Sequence, residues 1–432
     1  MKLTIYRGTN EIGGICIEIQ SGKSKILLDF GMPLVNKSGD SFNFKQYESL
    51  SVNELIKNGV LPNIANAYSE NTDISGVLIS HPHGDHYGLM QFLNKDIPVF
   101  LGKATHEILK LNNIFLYQKN KIENPIYFEK NKPFQIGEFN ITAFWNDHSA
   151  FDSYSFLIEA DGKSIFYSGD FRGHGRKANV YKWFTHNAPK NVDCLLIEGT
   201  TIGRATNRFK TENKIEQELT EIFRKSDCIN YIYTSSQNID RIVSLYKACL
   251  KSGKTFVVDV YTANVLNILS EFAKLPTPLK GYAQIKVLFP NRITNELFER
   301  GLGELANKFS KSKITKDEIS KNPSDFVIIV RPSMKNDLKK ITTDKGNLIY
   351  SMWEGYKEQS STKKFLDWLT SKNFAIIDIH TSGHADIETL KKFADSINPK
   401  TIIPIHTFNK QDYKTIFTQP IIEIDDNQTI EI

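Results

Sequence analysis

The stretch SHPHGDHY, Ser80–Tyr87, places His81, His83, Asp85 and His86 within six positions of a chain that has only ten histidines in 432 residues. Neutral imidazoles and carboxylates are the ligands of zinc and similar divalent ions. His81 and His83 are separated by one residue, so an extended backbone points both the same way. Gly84 permits a sharp bend before Asp85 and His86. The four side chains can therefore converge on two adjacent points rather than one. A pair of ions needs about seven or eight protein ligands and a water. Further candidates stand after apolar runs: His148 after FNITAFW, Asp170 after KSIFYSG and His406 after KTIIPI. Any one of these alone reads as an ordinary polar residue at a strand end; the ordered set reads as a metal centre.

These residues need strands to carry them. ISGVLI (Ile74–Ile79) reads as a buried strand and HYGLMQFL has helical spacing, which puts the histidine cluster in a strand-to-helix turn. Residues 3–200 read as strand after strand, with helices near 45–58, 86–94 and 104–119, and EADGKS (Glu159–Ser164) as a hairpin turn centred on Asp-Gly. From about 211 helix and strand alternate: a helix opened by Thr211, the strand CINYIYTSS, a helix closed by Gly253 and the strand TFVVDVY. That alternation predicts a parallel α/β sheet. After about 362 the chain returns to strand ends bearing histidine. His406 must reach the ions held by His81 and His148, so the last strands belong with the first body and the middle block is an insertion. The expected division is 1–205, 206–362 and 363–432, with a cleft between the two bodies.

The motifs resemble those of the metallo-β-lactamase superfamily and, within it, the β-CASP nucleases of the ribonuclease J-like kind. The match runs from residue 3 to about 408. Asp29 in KILLDFG resembles the first motif, HPHGDH the second, His148 the third and Asp170 the fourth. Glu198 in CLLIEGT, His384 in TSGHAD and His406 in IPIHT resemble the three motifs that the β-CASP branch adds, and RGTNEIGGICIEI its opening Gly-rich turn. The resemblance implies an α/β fold, a metallo-β-lactamase αββα sandwich with an inserted β-CASP domain. It also implies two divalent ions, most simply Zn2+. His81, His83 and His148 would hold one ion; Asp85, His86 and His406 the other; Asp170 would bridge them, and Asp29 would orient a ligand from behind. A hydroxide formed between the ions would be the nucleophile. Asp85, His384 and Glu198 are the expected catalytic groups, with His384 giving a proton to the leaving oxygen or holding the phosphate, and Glu198 keeping it protonated. There are two departures. Ribonuclease J has an additional C-terminal domain, and the serine-rich segment expected near residue 350 reads YSMWEGYKEQ here.

The remaining features are less specific. His106, His186 and His380 read as surface or packing residues. DFRGHGRK offers Arg172, His174, Arg176 and Lys177 as phosphate contacts or as a solvated loop, and TSSQNIDR offers Ser235, Ser236 and Arg241 at a strand-to-helix turn where anions bind. Cys16, Cys194, Cys228 and Cys249 are widely spaced and read as thiols in a reducing compartment. The net charge of +5 suits nucleic acid without demanding it. No apolar run reaches the length of a membrane span and no secretory signal opens the chain, so the cytoplasm is expected. The expected function is cleavage of single-stranded RNA to 5′-phosphate products, with a homodimer as one assembly. The rival readings are a DNA nuclease of the same branch, a small-molecule ester or lactone hydrolase and an inactive RNA-binding subunit. Histidine at 406 weighs against the first, and the full ligand set against the last.

Overall fold

The computed structural model describes residues 1–36, 41–204, 208–282 and 284–432. The chain forms two compact units, Met1–Phe209 with Gly383–Ile432, and Lys210–Ser382.

In the first unit, β1 (Lys2–Arg7), β2 (Cys16–Ser21), β3 (Ser24–Leu28), β4 (Gly76–Leu78), β5 (Val99–Leu101) and β6 (Pro125–Tyr127) lie side by side in that order, and β20 (Gln428–Glu431) extends the sheet beyond β1. A second sheet holds β7 (Pro133–Ile136), β8 (Phe139–Trp145), β9 (Tyr154–Ala160), β10 (Lys163–Tyr167) and β11 (Cys194–Glu198), with β19 (Thr401–Ile405) parallel to β11 at its edge. The period of two decides which side chains meet. Ile17, Ile19, Ile26 and Leu28 of one sheet pack with Ile165, Tyr167, Leu196, Ile403 and Ile405 of the other in one core. The alternate residues face outward. Leu27, Val77 and Ile79 pack under Leu55 and Leu109 of the helices Val52–Lys57 and Lys103–Phe115; Phe166, Leu195, Ile197 and Ile402 pack under Phe184 and Phe393 of Ala178–Asn187 and Ile387–Ile397. This is the four-layer αββα sandwich that the motifs imply. The Asp-Gly turn is present, with Asp161 and Gly162 both left-handed (φ 51 and 66). The helix expected over 86–94 is shorter: Gly84–Tyr87 and a 3-10 turn at Met90–Phe92.

The second unit is one parallel sheet of β12 (Ile229–Tyr233), β13 (Thr255–Asp259), β14 (Ile285–Leu288), β15 (Lys313–Ile314), β16 (Phe326–Ile329), β17 (Gly346–Tyr350) and β18 (Phe374–Asp378), in the order β15-β14-β13-β16-β12-β17-β18. Thr211 caps its first helix by accepting from the Lys214 amide, and Gly253 ends the next in a left-handed cap. Thr381 Oγ1 donates to the Lys210 carbonyl, so the two ends of the unit are tied together. The expected boundary at 205/206 lies outside the described residues. The expected return at 363 needs correction, because β18 pairs along its whole length with β17; the second unit runs to Ser382. Cys16, Cys194 and Cys249 are buried free thiols and Cys228 is half-buried. No helix among the described residues is long and apolar enough to cross a membrane.

Candidate metal centre

Every strand that carries a motif residue ends at the same place in the sandwich. Asp29 follows β3, the Ser80–His86 turn follows β4, His148 follows β8, Asp170 follows β10, Glu198 closes β11 and His406 follows β19. The turn is held by backbone: Phe30 N donates to His86 O, Ile15 N to Asp85 O and Met32 N to Gly84 O. Gly31 packs against it so closely that a Cβ there would lie 1.7 Å from the Asp85 carbonyl oxygen. Asp29 and His406 both adopt left-handed backbone (φ 56 and 52), a conformation that side chains hold only when their surroundings require it.

The side chains form three overlapping groups: His81, His83, His148 and Asp170; Asp85, His86, Asp170 and His406; Asp170, Glu198, His384 and His406. In the first, His81 Nε2 and His148 Nε2 lie 3.1 and 3.2 Å from His83 Nδ1. In the second, His86 Nε2 is 3.2 Å from Asp170 Oδ2, and His406 Nε2 is 3.3 Å from Asp85 Oδ2 and 3.9 Å from Asp170 Oδ2. The edge of a tetrahedron with metal–ligand bonds near 2.1 Å is about 3.4 Å, so these spacings fit donors arranged around cations.

The backing hydrogen bonds point the same way. Asp29 Oδ2 lies 2.7 Å from His86 Nδ1, Thr200 Oγ1 lies 2.7 Å from His406 Nδ1, and Ser80 Oγ, which donates to Asp29 Oδ2, lies 3.0 Å from His81 Nδ1. Each bond takes the proton on Nδ1 and leaves the Nε2 lone pair facing the centre. Burial holds His81 and His148 well below the usual imidazole range and brings His83 down to about 4. Three neutral imidazoles with converging nitrogens are a donor set that suits a divalent cation. Burial would raise Asp85 and Asp170, but His86 and His406 beside the first, and His406, His86 and His384 beside the second, bring Asp85 to about 2 and Asp170 well below its ordinary value. The seven donors therefore fit a pair of divalent cations.

His384 stands beside them. Its Nδ1 is 3.2 Å from both Glu198 oxygens and 3.6 Å from Asp170 Oδ2. Burial lowers its pKa, yet Glu198 and Asp170 outweigh this and raise it, which favours imidazolium. Glu198 is fixed in turn by the amides of Phe171 and Thr200.

The expected phosphate contacts fare differently. Arg172 is fully buried, its Nε 3.6 Å from Asp147 Oδ1; Arg241 is fully buried and paired with Glu212 at 3.1 Å. Neither guanidinium reaches solvent, which corrects their expected role. His174 is buried against Phe209, Lys177 donates to the Ala150 carbonyl and Arg176 is half-buried. Ser236 is buried and Ser235 half-buried. His106 meets the Tyr127 hydroxyl, His186 the Lys182 carbonyl, and His380 is exposed. Sequence reasoning missed Thr200, Ser80 and Tyr167, whose hydroxyl donates to Asp29 at 2.5 Å. It also missed Arg204, whose charge acts on both Glu198 and His384. All four lie within a few residues of a motif, which was the only available signal.

Residues 54–215 match the Beta-lactamase superfamily domain, and residues 359–411 match the Zn-dependent metallo-hydrolase RNA specificity domain. The chain is 25% identical to Ribonuclease J of Helicobacter pylori over 94% of its own length, but spans only 56% of that relative. It is 22% identical to Ribonuclease J of Mycoplasma genitalium, covering 94% of this chain and 67% of the other, and 22% identical to an RNase J-like protein of Methanocaldococcus jannaschii, covering 94% and 92%. A crystal structure of a protein of unknown function from Enterococcus faecalis superposes with a TM-score of 0.79 at 22% identity, over 99% of both chains, and shares the fold. With the donor set and the His384–Glu198 pair in one place, these matches support the resemblance to the metallo-β-lactamase superfamily and, within it, to the β-CASP, ribonuclease J-like branch.

Proposed function

We propose that the protein is a two-metal ribonuclease that hydrolyses phosphodiester bonds of single-stranded RNA and leaves 5′-phosphate and 3′-hydroxyl ends. The observation that carries this is the His384–Glu198 pair beside the seven donors: an imidazolium held 3.6 Å from Asp170 stands ready to serve a leaving oxygen. The matched RNA specificity domain includes His384 and supports RNA as the substrate class. His81, His83, His148 and Asp170 would hold one ion and Asp85, His86, His406 and Asp170 the other. Zinc, when bound there, would neutralise phosphate charge and lower the pKa of an attacking water.

The chain's own residues do the rest. Asp29, Ser80 and Thr200 fix the rings that face the ions. Glu198 engages His384 Nδ1, so the proton that His384 delivers is the one on Nε2. That proton would pass to the 3′-oxygen as its bond to phosphorus breaks. Because water attacks, the ribose 2′-hydroxyl is not the nucleophile.

End-labelled RNA, with matched DNA, tests the proposal on one gel. The expected products carry 5′ ends that ligate without kinase treatment, and Asp170→Asn abolishes them. Cyclic 2′,3′-phosphate ends would overturn the mechanism. No cut in any RNA, together with rapid hydrolysis of a lactone or thioester, would overturn the substrate.

A further inference from the structure

The second unit holds an arginine that the chemistry above does not use. In parallel sheets ligands dock at the carboxyl ends of strands, where neighbouring connections run in opposite directions. In this sheet that point lies between β13, which leads outward to β14 and β15, and β16, which leads back across β12 to β17. Arg331 follows β16 there. Its Nε donates to Asp259 Oδ2 at 2.8 Å, and its Nη2 donates to Thr262 Oγ1 at 3.0 Å and to Ser236 Oγ. The Tyr261 ring lies 5.6 Å from the guanidinium carbon. Asp259 is committed elsewhere as well, accepting from the Thr262 amide through Oδ1. The guanidinium plane is therefore fixed before any ligand arrives. Nη1 makes no hydrogen bond to a described residue, and the side chain is 22% exposed.

Two neighbours on the same edge extend this feature. Just past the end of β12, the adjacent strand, Ser235 is half-buried, and its oxygen accepts from the Gln237 amide, leaving the hydroxyl proton to give. One strand further, after β17, the indole of Trp353 is 50% exposed. Tyr356 meets it edge-on at 5.3 Å, and Gly355 lies so close that a Cβ there would fall 2.3 Å from the ring. Lys357 lies 5.0 Å over the nearby Tyr350 ring. The strands of Arg331 and Trp353 are about two strand spacings, or ~10 Å, apart.

We propose that this edge is a subsite for single-stranded RNA, in which Arg331 Nη1 and the Ser235 hydroxyl hold one backbone phosphate and a base stacks on Trp353; the inference rests on the ribonuclease reading above. A charge-assisted N–H beside a hydroxyl suits a phosphate oxygen, and an exposed indole suits any base. Arg331 thus takes the role that the sequence had offered to Arg241, and Trp353 gives a use to the segment that departs from the serine-rich pattern.

Binding of a 5′-labelled single-stranded oligoribonucleotide, measured by anisotropy in an Asp170→Asn background, tests this against salt concentration. Arg331→Gln should flatten the slope of log affinity against log salt by about 0.7, the share of one single-strand phosphate, and Arg331→Lys should keep the slope. Trp353→Ala should weaken binding roughly 5- to 150-fold with the slope unchanged, and Trp353→Phe should recover most of the loss. With the catalytic residues intact, both loss variants should raise KM more than they lower kcat. Trp353→Ala carries the test even if Arg331→Gln fails to fold. A wild-type slope in Arg331→Gln, or wild-type affinity in Trp353→Ala, overturns the subsite in a protein that still cuts RNA. A wild-type chain that neither binds nor cuts RNA overturns the ribonuclease reading itself.

Discussion

Replacing Thr200 with valine removes one oxygen from the metal centre and changes almost nothing else. The two side chains have nearly the same shape, so no cavity opens. Thr200 is buried, and its Oγ1 lies 2.7 Å from His406 Nδ1. In the variant that ring N–H faces a methyl group, and a buried donor left without a partner costs about 1–3 kcal/mol. The ring can relieve the loss only by turning, which takes Nε2 away from its position 3.3 Å from Asp85 Oδ2. The deficit therefore falls on one ion, the one shared by Asp85, His86, His406 and Asp170. At about 1.4 kcal/mol per tenfold, its affinity should drop roughly 5- to 150-fold, in line with the ~10–100-fold typical of residues that orient a metal ligand. The ion held by His81, His83 and His148 should be unaffected, since none of those rings touches Thr200. Competition with a chromophoric zinc chelator at fixed pH resolves the two equivalents. One should be released more readily and one as in the wild type, while Thr200→Ser should behave as the wild type. If both equivalents keep wild-type affinity, or both weaken alike in a folded variant, the assignment of His406 to a single ion through Thr200 is wrong.

The same structure gives further tests. His384→Ala should slow RNA cleavage by ~10²–10⁴-fold with two zinc equivalents retained; loss of an equivalent in metal analysis would make His384 a ligand instead. Gly31→Ala should leave far-UV circular dichroism near normal but bring bound zinc well below two equivalents, because a Cβ 1.7 Å from the Asp85 carbonyl must displace the histidine turn; full metal content would refute that packing argument. Arg241→Met leaves Glu212 charged and buried, a loss of ~3–5 kcal/mol, and should lower the melting temperature by roughly 6–20 °C. Arg241→Met with Glu212→Leu should recover much of it, and a melting temperature like that of the wild type in the single variant would show that the pair is not the contact holding that region.

The parts of this molecule that were readable in the sequence share a cause. Ligand residues lie at strand ends, and a polar residue after an apolar run marks such an end; hence His148, Asp170 and His406 were legible as an ordered set with the opening cluster, whereas Asp29 and Glu198 were reached only through the family resemblance. The alternation that separates Leu27 from Ile26 and Leu28 was equally visible, because two buried sheet faces require it. Arg172 and Arg241 were misjudged because sequence shows a charge but not its partner: Asp147 and Glu212 meet them only in three dimensions. Arg331 was overlooked for the same reason, since nothing in RPSM announces that Asp259, Ser236 and Thr262 will hold its guanidinium. The end of the inserted unit was misplaced by some twenty residues because β18 is an edge strand whose only signal, FAIID, is as compatible with one sheet as with the other.

The knot of Thr381 on Lys210 bears on how the metal centre comes together. His384 and His406 follow the inserted unit in the chain, so the donors from the first two hundred residues must wait for partners on its far side. Were the insert unfolded, bringing those partners back would mean closing a loop of about 170 residues, an entropic cost of roughly 4–5 kcal/mol. A folded insert with its two ends already joined removes most of that cost. Through chain entropy, the insert would thus influence at a distance any ion that the centre holds. Destabilising it should loosen the ion that depends on His406 while sparing the one held by His81, His83 and His148, although not one of the seven donors belongs to it.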